Sequence, residues 1–211
     1  MDFTSELSEW SKLDRALVVF FALAEVLVDG GERVGIPELM RPTANRNIIE
    51  KMAQAIVHDT GERPSLPPNF APAPFSEVLL LSDFWSPVAE FRRIIGQLAA
   101  NGARGHVVQV IDPAEESFPY AGRVEFIESE GLGTVTAGRA EMWRNEYQTL
   151  LANHRAALRA ECEQFGWSFT VHRTDRGPTE LLFAIHARMG AGAQQTTVNS
   201  RHAPAQRRSP A

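Results

Sequence analysis

The first regular segment of this chain is a helix, and nothing before it reads as a strand. In the strongly apolar run Lys12–Val28, Leu13, Leu17, Phe20 or Phe21, Ala24 and Leu27 recur at helical spacing. Val18, Val19 and Val26 widen the stripe, so the helix is expected to be covered by a sheet. Ser11 can cap a helix over about 12–29, and Gly30-Gly31 stops it.

The remainder alternates between strand and helix. A short strand is expected at Arg33–Ile36, an irregular segment around Pro42, and a helix from near Asn45 to His58 with Ile48, Ile49, Met52, Ala55 and Ile56 inward. Gly61–Pro74 holds five prolines and reads as a loop. Val78-Leu79-Leu80-Leu81 is an unbroken apolar strand, the pattern of burial on both faces in a parallel sheet. Pro87 opens a helix that ends near Asn101-Gly102, and His106–Ile111 is the next strand. Val124–Glu128 and Thr134–Thr136 form a small excursion around Gly131-Leu132-Gly133. A long helix follows over Arg139–Phe165, with Trp143, Tyr147, Leu150, Leu151, His154, Leu158, Cys162 and Phe165 on one stripe. Trp167–Val171 is the last strand, and a helix from Pro178 turns Leu181, Leu182, Ile185 and Met189 inward.

This order predicts an α/β chain with a doubly wound, mostly parallel sheet flanked by helices. A full sheet of that kind would want a strand before Lys12, so its first central strand is expected to be lacking. The expected division is one unit over 1–189 and a disordered, small-residue and proline-bearing tail over 190–211.

Composition narrows the function classes. The net charge is -5, so a dedicated nucleic-acid binder is not expected. The single cysteine, Cys162, cannot build a disulfide framework within one chain and reads as a covered helical thiol. Asp2, Glu6 and Glu9 stand where a signal peptide would be basic, and Leu17–Leu27 is too short to span a bilayer and contains Glu25. The expectation is a cytoplasmic chain without a transmembrane segment.

Ligands of open α/β sheets collect at the carboxyl ends of the strands. Asp83 stands at such an end, with Ser82 and Ser86 beside it. Two readings are open: a carboxylate that helps bind a hard divalent cation, or the stabiliser of the turn to Pro87. Asp112-Pro113 ends the next strand and reads first as a turn. Thr43, Asn45 and Asn47 offer an N-cap for the second helix or a hydroxyl that reaches a cation near Asp83. Asp14 and Arg15 sit in the first helical turns, and Lys12 and Arg15 can pair with neighbouring acids, which adds little if exposed. The six histidines show no metal spacing, and no nucleophile elbow, phosphate loop or dinucleotide fingerprint is present.

Several blocks in order resemble one bacterial family. They are Met1-Asp2-Phe3, Ser11-Lys12-Leu13-Asp14-Arg15-Ala16, Gly30-Gly31-Glu32-Arg33-Val34-Gly35, Ser82-Asp83-Phe84, Asn101-Gly102-Ala103-Arg104-Gly105-His106, Asp112-Pro113-Ala114-Glu115-Glu116, Thr136-Ala137-Gly138-Arg139 and Gly166-Trp167-Ser168-Phe169. The family is domain of unknown function 58, with a von Willebrand A-like fold, and the likeness spans about 1–190. The resemblance implies a metal-ion-dependent adhesion site whose Asp-x-Ser-x-Ser motif comes just before the position matching Met1. It makes Asp83 the matching aspartate, with Ser82 and, weakly, Thr43 as further oxygens for Mg2+ in a complete domain. In this chain it implies an incomplete site with weak or no metal affinity. It also implies a non-enzymatic protein-interaction module that works with a MoxR-type AAA+ ATPase in complex assembly or maturation. The alternative is a metal-assisted hydrolase or phosphoryl-transfer protein using Asp83 and Asp112, and a third reading is a purely structural partner for another chain.

Overall fold

A computed structural model describes residues 1, 3–59, 67, 70–127 and 133–189. The helices are α1 (Lys12–Asp29), α2 (Ile48–His58), α3 (Val88–Ala99), α4 (Pro113–Ser117), α5 (Arg144–Gln164) and α6 (179–189). The strands are β1 (Val34–Ile36), β2 (Met40–Thr43), β3 (Glu77–Ser82), β4 (Arg104–Ile111), β5 (Val124–Ile127), β6 (Thr134–Ala137) and β7 (Ser168–Arg173). A 3-10 turn, Ala140–Trp143, leads into α5.

The main sheet has three parallel strands in the order β3-β4-β7. Helices cover both of its faces, as a doubly wound sheet requires. Val78, Leu80, Val107 and Phe169 point to one side, where α3 supplies Phe91, Ile94, Ile95 and Leu98 and α5 supplies Leu158 and Cys162. Val108 and Val110 point to the other, under Ala16, Val19 and Leu23 of α1 and Leu181 and Ile185 of α6. This alternation follows from the period-two geometry of a strand. Burying one such side chain contributes roughly 1.5–3 kcal/mol, and both layers depend on it.

Trp167 shows how tightly the α3/α5 side is closed. Its Nε1 donates to the Ala103 carbonyl at 3.3 Å, and its ring lies against Gly105, where any Cβ would overlap it. The glycine is required here by close approach rather than by an unusual φ.

The strand over 34–36 does not join the main sheet. β1 and β2 form a separate antiparallel hairpin, with Val34 opposite Thr43 and Ile36 opposite Met40. The segment expected to be irregular is thus a strand. Pro42 lacks a donor, which a two-stranded ribbon tolerates on an edge, and Gly35 lets the Met40 carbonyl and Pro42 nitrogen pass where a Cβ would lie at 2.8 Å. The far end of α1 holds this hairpin and α2 through Ala24, Val28, Ile48 and Met52.

Other boundaries also differ from expectation. α2 begins at Ile48, because Asn45 and Asn47 are spent on a turn in which Asn45 Oδ1 accepts from the Asn47 amide at 2.9 Å. Leu150, placed on the inward stripe of the long helix, is exposed, whereas Leu151, Leu158 and Cys162 are buried. β5 and β6 pair as expected, and Phe118, Ala137 and Ala140 bury the base of that hairpin. The expected tail over 190–211, most of the proline-rich loop, Asp2, Glu128 and part of the turn at 131–133 lie outside the described residues.

Candidate functional site at the carboxyl edge of the sheet

β3 and β4 deliver Asp83 and Asp112 to the same edge. Ser82 and Gln109 are opposite one another in the ladder, so the two strands end nearly in step. The chain leaves β3 through a constrained turn: Phe84 is buried with φ 53, a left-handed conformation that costs a non-glycine residue of order 1–3 kcal/mol. Its ring meets Phe91 edge-on at 5.4 Å, and its carbonyl accepts from His154 Nε2 at 2.7 Å. The Asp83 carbonyl accepts from Gln109 Nε2 at 2.9 Å. Packing on one side and hydrogen bonds on the other hold the strained turn in place.

The Asp83 carboxylate faces α1. Lys12 Nζ lies 2.9 Å from Asp83 Oδ2 and 2.8 Å from Glu115 Oε1, with the Phe3 ring centroid at 5.6 Å. Burial alone would lower the Lys12 pKa, but Glu115 and Asp83 outweigh it and raise it above the ordinary lysine value. Lys12 is only 3% exposed. Asp112 is turned inward as the cap of α4: its Oδ1 accepts from the Ala114 amide at 2.8 Å, and Glu115 Oε2 accepts from the Asp112 amide at 3.0 Å. This is a capping box. The remaining capacity of Asp112 goes to Ser5, whose amide donates to Oδ2 at 3.1 Å and whose hydroxyl donates to Oδ1.

A second polar chain runs beside this one. Gln109 Oε1 accepts from Arg155 Nε at 2.9 Å, and Arg155 pairs with Glu116 at 2.7 Å. Glu116 also meets Arg173, which pairs with Asp175 at 2.7 Å. Around these charges stand exposed apolar side chains: Phe3, Leu7, Trp10 and Trp85, the last stacked on His154 at 5.8 Å.

Of the residues singled out from sequence, Ser82 and Asp83 are neighbours here, with Ser82 Oγ 3.5 Å from Asp83 Oδ1. Ser82 Oγ also accepts from the Phe84 amide at 3.4 Å. Thr43 ends β2, opposite Val34 in the separate hairpin. Among the described residues no three of His, Cys, Asp and Glu gather as a metal-holding group. The residues present do not fit a magnesium ion, because an ammonium already occupies Asp83 Oδ2 and the Thr43 hydroxyl belongs to another sheet.

Lys12, Glu115, Gln109 and Arg155 were not singled out as functional from sequence. One signal was available for Lys12. It lies on the same stripe as Ala16, Val19 and Leu23, at i+4, i+7 and i+11, so a charge there had to be buried and paired.

Fold and site together define an α/β protein whose sheet edge is closed by internal ion pairs and rimmed by aromatic side chains. The chain belongs to the family described as Protein of unknown function DUF58, which it matches over residues 1–157. No curated protein and no solved structure matches it. Among the described residues no helix is long and apolar enough to cross a membrane.

Proposed function

We infer that this chain is a non-enzymatic protein-interaction module of the von Willebrand A type, and that it docks its partner on the carboxyl edge of the β3-β4-β7 sheet. The observation that carries this reading is the division of labour at that edge. Asp83 is held by Lys12 and Asp112 by its helix cap and Ser5, so neither stands ready as a base or nucleophile. Phe3, Leu7, Trp10 and Trp85, by contrast, offer apolar surface to solvent. Aromatic side chains of this kind anchor protein interfaces.

The open edge of β3 fits the same reading. β4 is its one partner among the described residues, and β1 belongs to another sheet, yet α1 packs against both.

The resemblance to the family makes a MoxR-type AAA+ ATPase the partner to test first. Purified ATPase is titrated against the chain and against its Trp85→Ala and Phe3→Ala variants. Binding by the parent that weakens at least about fivefold in each variant supports the reading, since interface aromatics of this kind contribute about 1 kcal/mol or more. Equal binding by all three moves the docking face elsewhere.

A further inference from the structure

Among the described residues, one buried cation at the carboxyl edge touches no carboxylate directly, although the charge of Asp175 reaches it. Arg15, on the first turns of α1, is only 6% exposed. Its Nε donates to the Thr174 carbonyl at 3.1 Å, and its guanidinium carbon lies 5.0 Å from the centre of the Trp10 ring. Neither contact is with a carboxylate. The neighbouring Asp175 is committed to Arg173 through two hydrogen bonds, at 2.9 and 2.7 Å. Lys12, three residues earlier on the same helix, holds two carboxylates.

Two further groups point the same way. The Thr174 hydroxyl and His172 Nε2 are both buried and have no hydrogen-bond partner among the described residues. Buried polar atoms of folded proteins are nearly always paired, and those that are not mark a missing water, ion or ligand. His172 lies near the end of β7 and Thr174 just follows it, and Arg15 grips the Thr174 carbonyl. His172 is neutral, since burial and the Arg15 charge hold it well below the usual imidazole range, so its Nε2 can carry a proton to donate. A guanidinium, a hydroxyl and an imidazole N–H form a set of donors, which is the chemistry of an oxyanion site.

We propose that Arg15, Thr174 and His172 form a carboxylate-binding site, and that an acidic side chain of the protein partner seats there beside Trp10. This rests on the interaction-module reading and names the chemistry of its partner. The partner segment carries an acid flanked by apolar residues, because the exposed Trp10 ring borders the guanidinium. The carboxylate adds a direct ion pair to the longer-range pull of Asp175 on Arg15, and the hydroxyl and imidazole fix its orientation.

The test uses a fluorescein-labelled hexapeptide of alternating glutamate and leucine, titrated against the full chain at low ionic strength and followed by anisotropy. Saturable binding is expected, with about tenfold or greater weakening in Arg15→Gln, as for loss of a charge-assisted contact. Arg15→Lys, which keeps the charge but loses the fork, and Thr174→Val are each expected to weaken it as well. Thermal melting of Arg15→Gln should be no lower than that of the parent, which a purely structural arginine would not allow. Undiminished binding by Arg15→Gln, or equal binding of the matched glutamine-leucine peptide, overturns the site. So does binding of inorganic phosphate while the glutamate peptide stays inert. If the glutamate peptide fails but the ATPase still binds through Trp85 and Phe3, the carboxylate site falls and the interaction role stands.

Discussion

Lys12 Nζ lies 2.9 Å from Asp83 Oδ2, joining the first helix to the loop that leaves β3. The same ammonium holds Glu115 of α4, so one side chain ties together three segments far apart in sequence. Buried charges are costly unless paired, and removing one partner strands the others.

Lys12→Met should therefore destabilise the fold by about 3 kcal/mol, the range for breaking a buried pair. Asp83→Asn should cost less, because the ammonium keeps Glu115. Urea unfolding of both single variants and the double variant would measure the coupling; additive effects would show that the pair contributes nothing specific. The raised Lys12 pKa adds a pH signature. Its stabilisation is complete below the unfolded value near 10.5 and is lost as pH rises through the higher folded value.

How much of this was legible in the sequence depends on range. α1 is readable because Leu17, Phe20, Ala24 and Leu27 repeat at short range and Ser11 caps it, its side chain accepting from the Asp14 amide. The strand Val78–Leu81 is readable because four apolar residues in a row leave little alternative. β2 was hidden by Pro42, whose local preference speaks against a strand until a partner such as β1 is known. The position of Asp83 at a strand end was visible, but its partner lies 71 residues earlier. No local pattern reports a contact of that span. Thr43 ends β2 and Asp83 follows β3, strands of different sheets, a matter of strand order rather than of spacing.

His172 gives a second pH dependence, in the opposite direction. Burial, with the nearby Arg15 charge, lowers its pKa from 6.5 to about 4, while Asp175 acts weakly the other way. The folded value lies below the unfolded one, so its contribution is complete above pH 6.5 and is withdrawn as pH falls toward 4. The shift corresponds to about 3 kcal/mol. His172→Leu should flatten stability between pH 7 and 5 in thermal melts, and an unchanged slope would assign the dependence to other groups.

Gly105→Ala tests the packing of the α3/α5 layer. The added methyl would overlap the ring of Trp167, itself buried and anchored to the Ala103 carbonyl. A loss of about 3 kcal/mol is expected, at the upper end for overpacking. Trp167 emission should shift to the red as the indole is displaced. A stable variant with unshifted emission would mean that the ring can move without cost.

Cys162 should be inert while the chain is folded. It is fully buried against the α3/α5 face, and burial pushes its thiol pKa up to about 12. The thiolate is the reactive form, so Ellman's reagent at pH 8 should label the native chain only at the rate of opening. Addition of urea through the unfolding transition should release full labelling. Rapid stoichiometric labelling of the native chain would show that the end of α5 frays away from α3, and would take the Leu158–Cys162 contact out of the stable core.

Lys12 already pairs with the carboxylates of Asp83 and Glu115, and the Ser82 hydroxyl offers one further oxygen at that turn. A magnesium ion would have to displace an ammonium held by two contacts and then accept fewer protein oxygens than its octahedral shell favours. Titration calorimetry of this chain with millimolar magnesium should give heats equal to dilution. Saturable binding, lost in Asp83→Asn, would instead mean that Lys12 yields its place, and Lys12→Met should then bind the ion more tightly. Heats of dilution alone would leave Asp83 as the acid that holds α1 to β3.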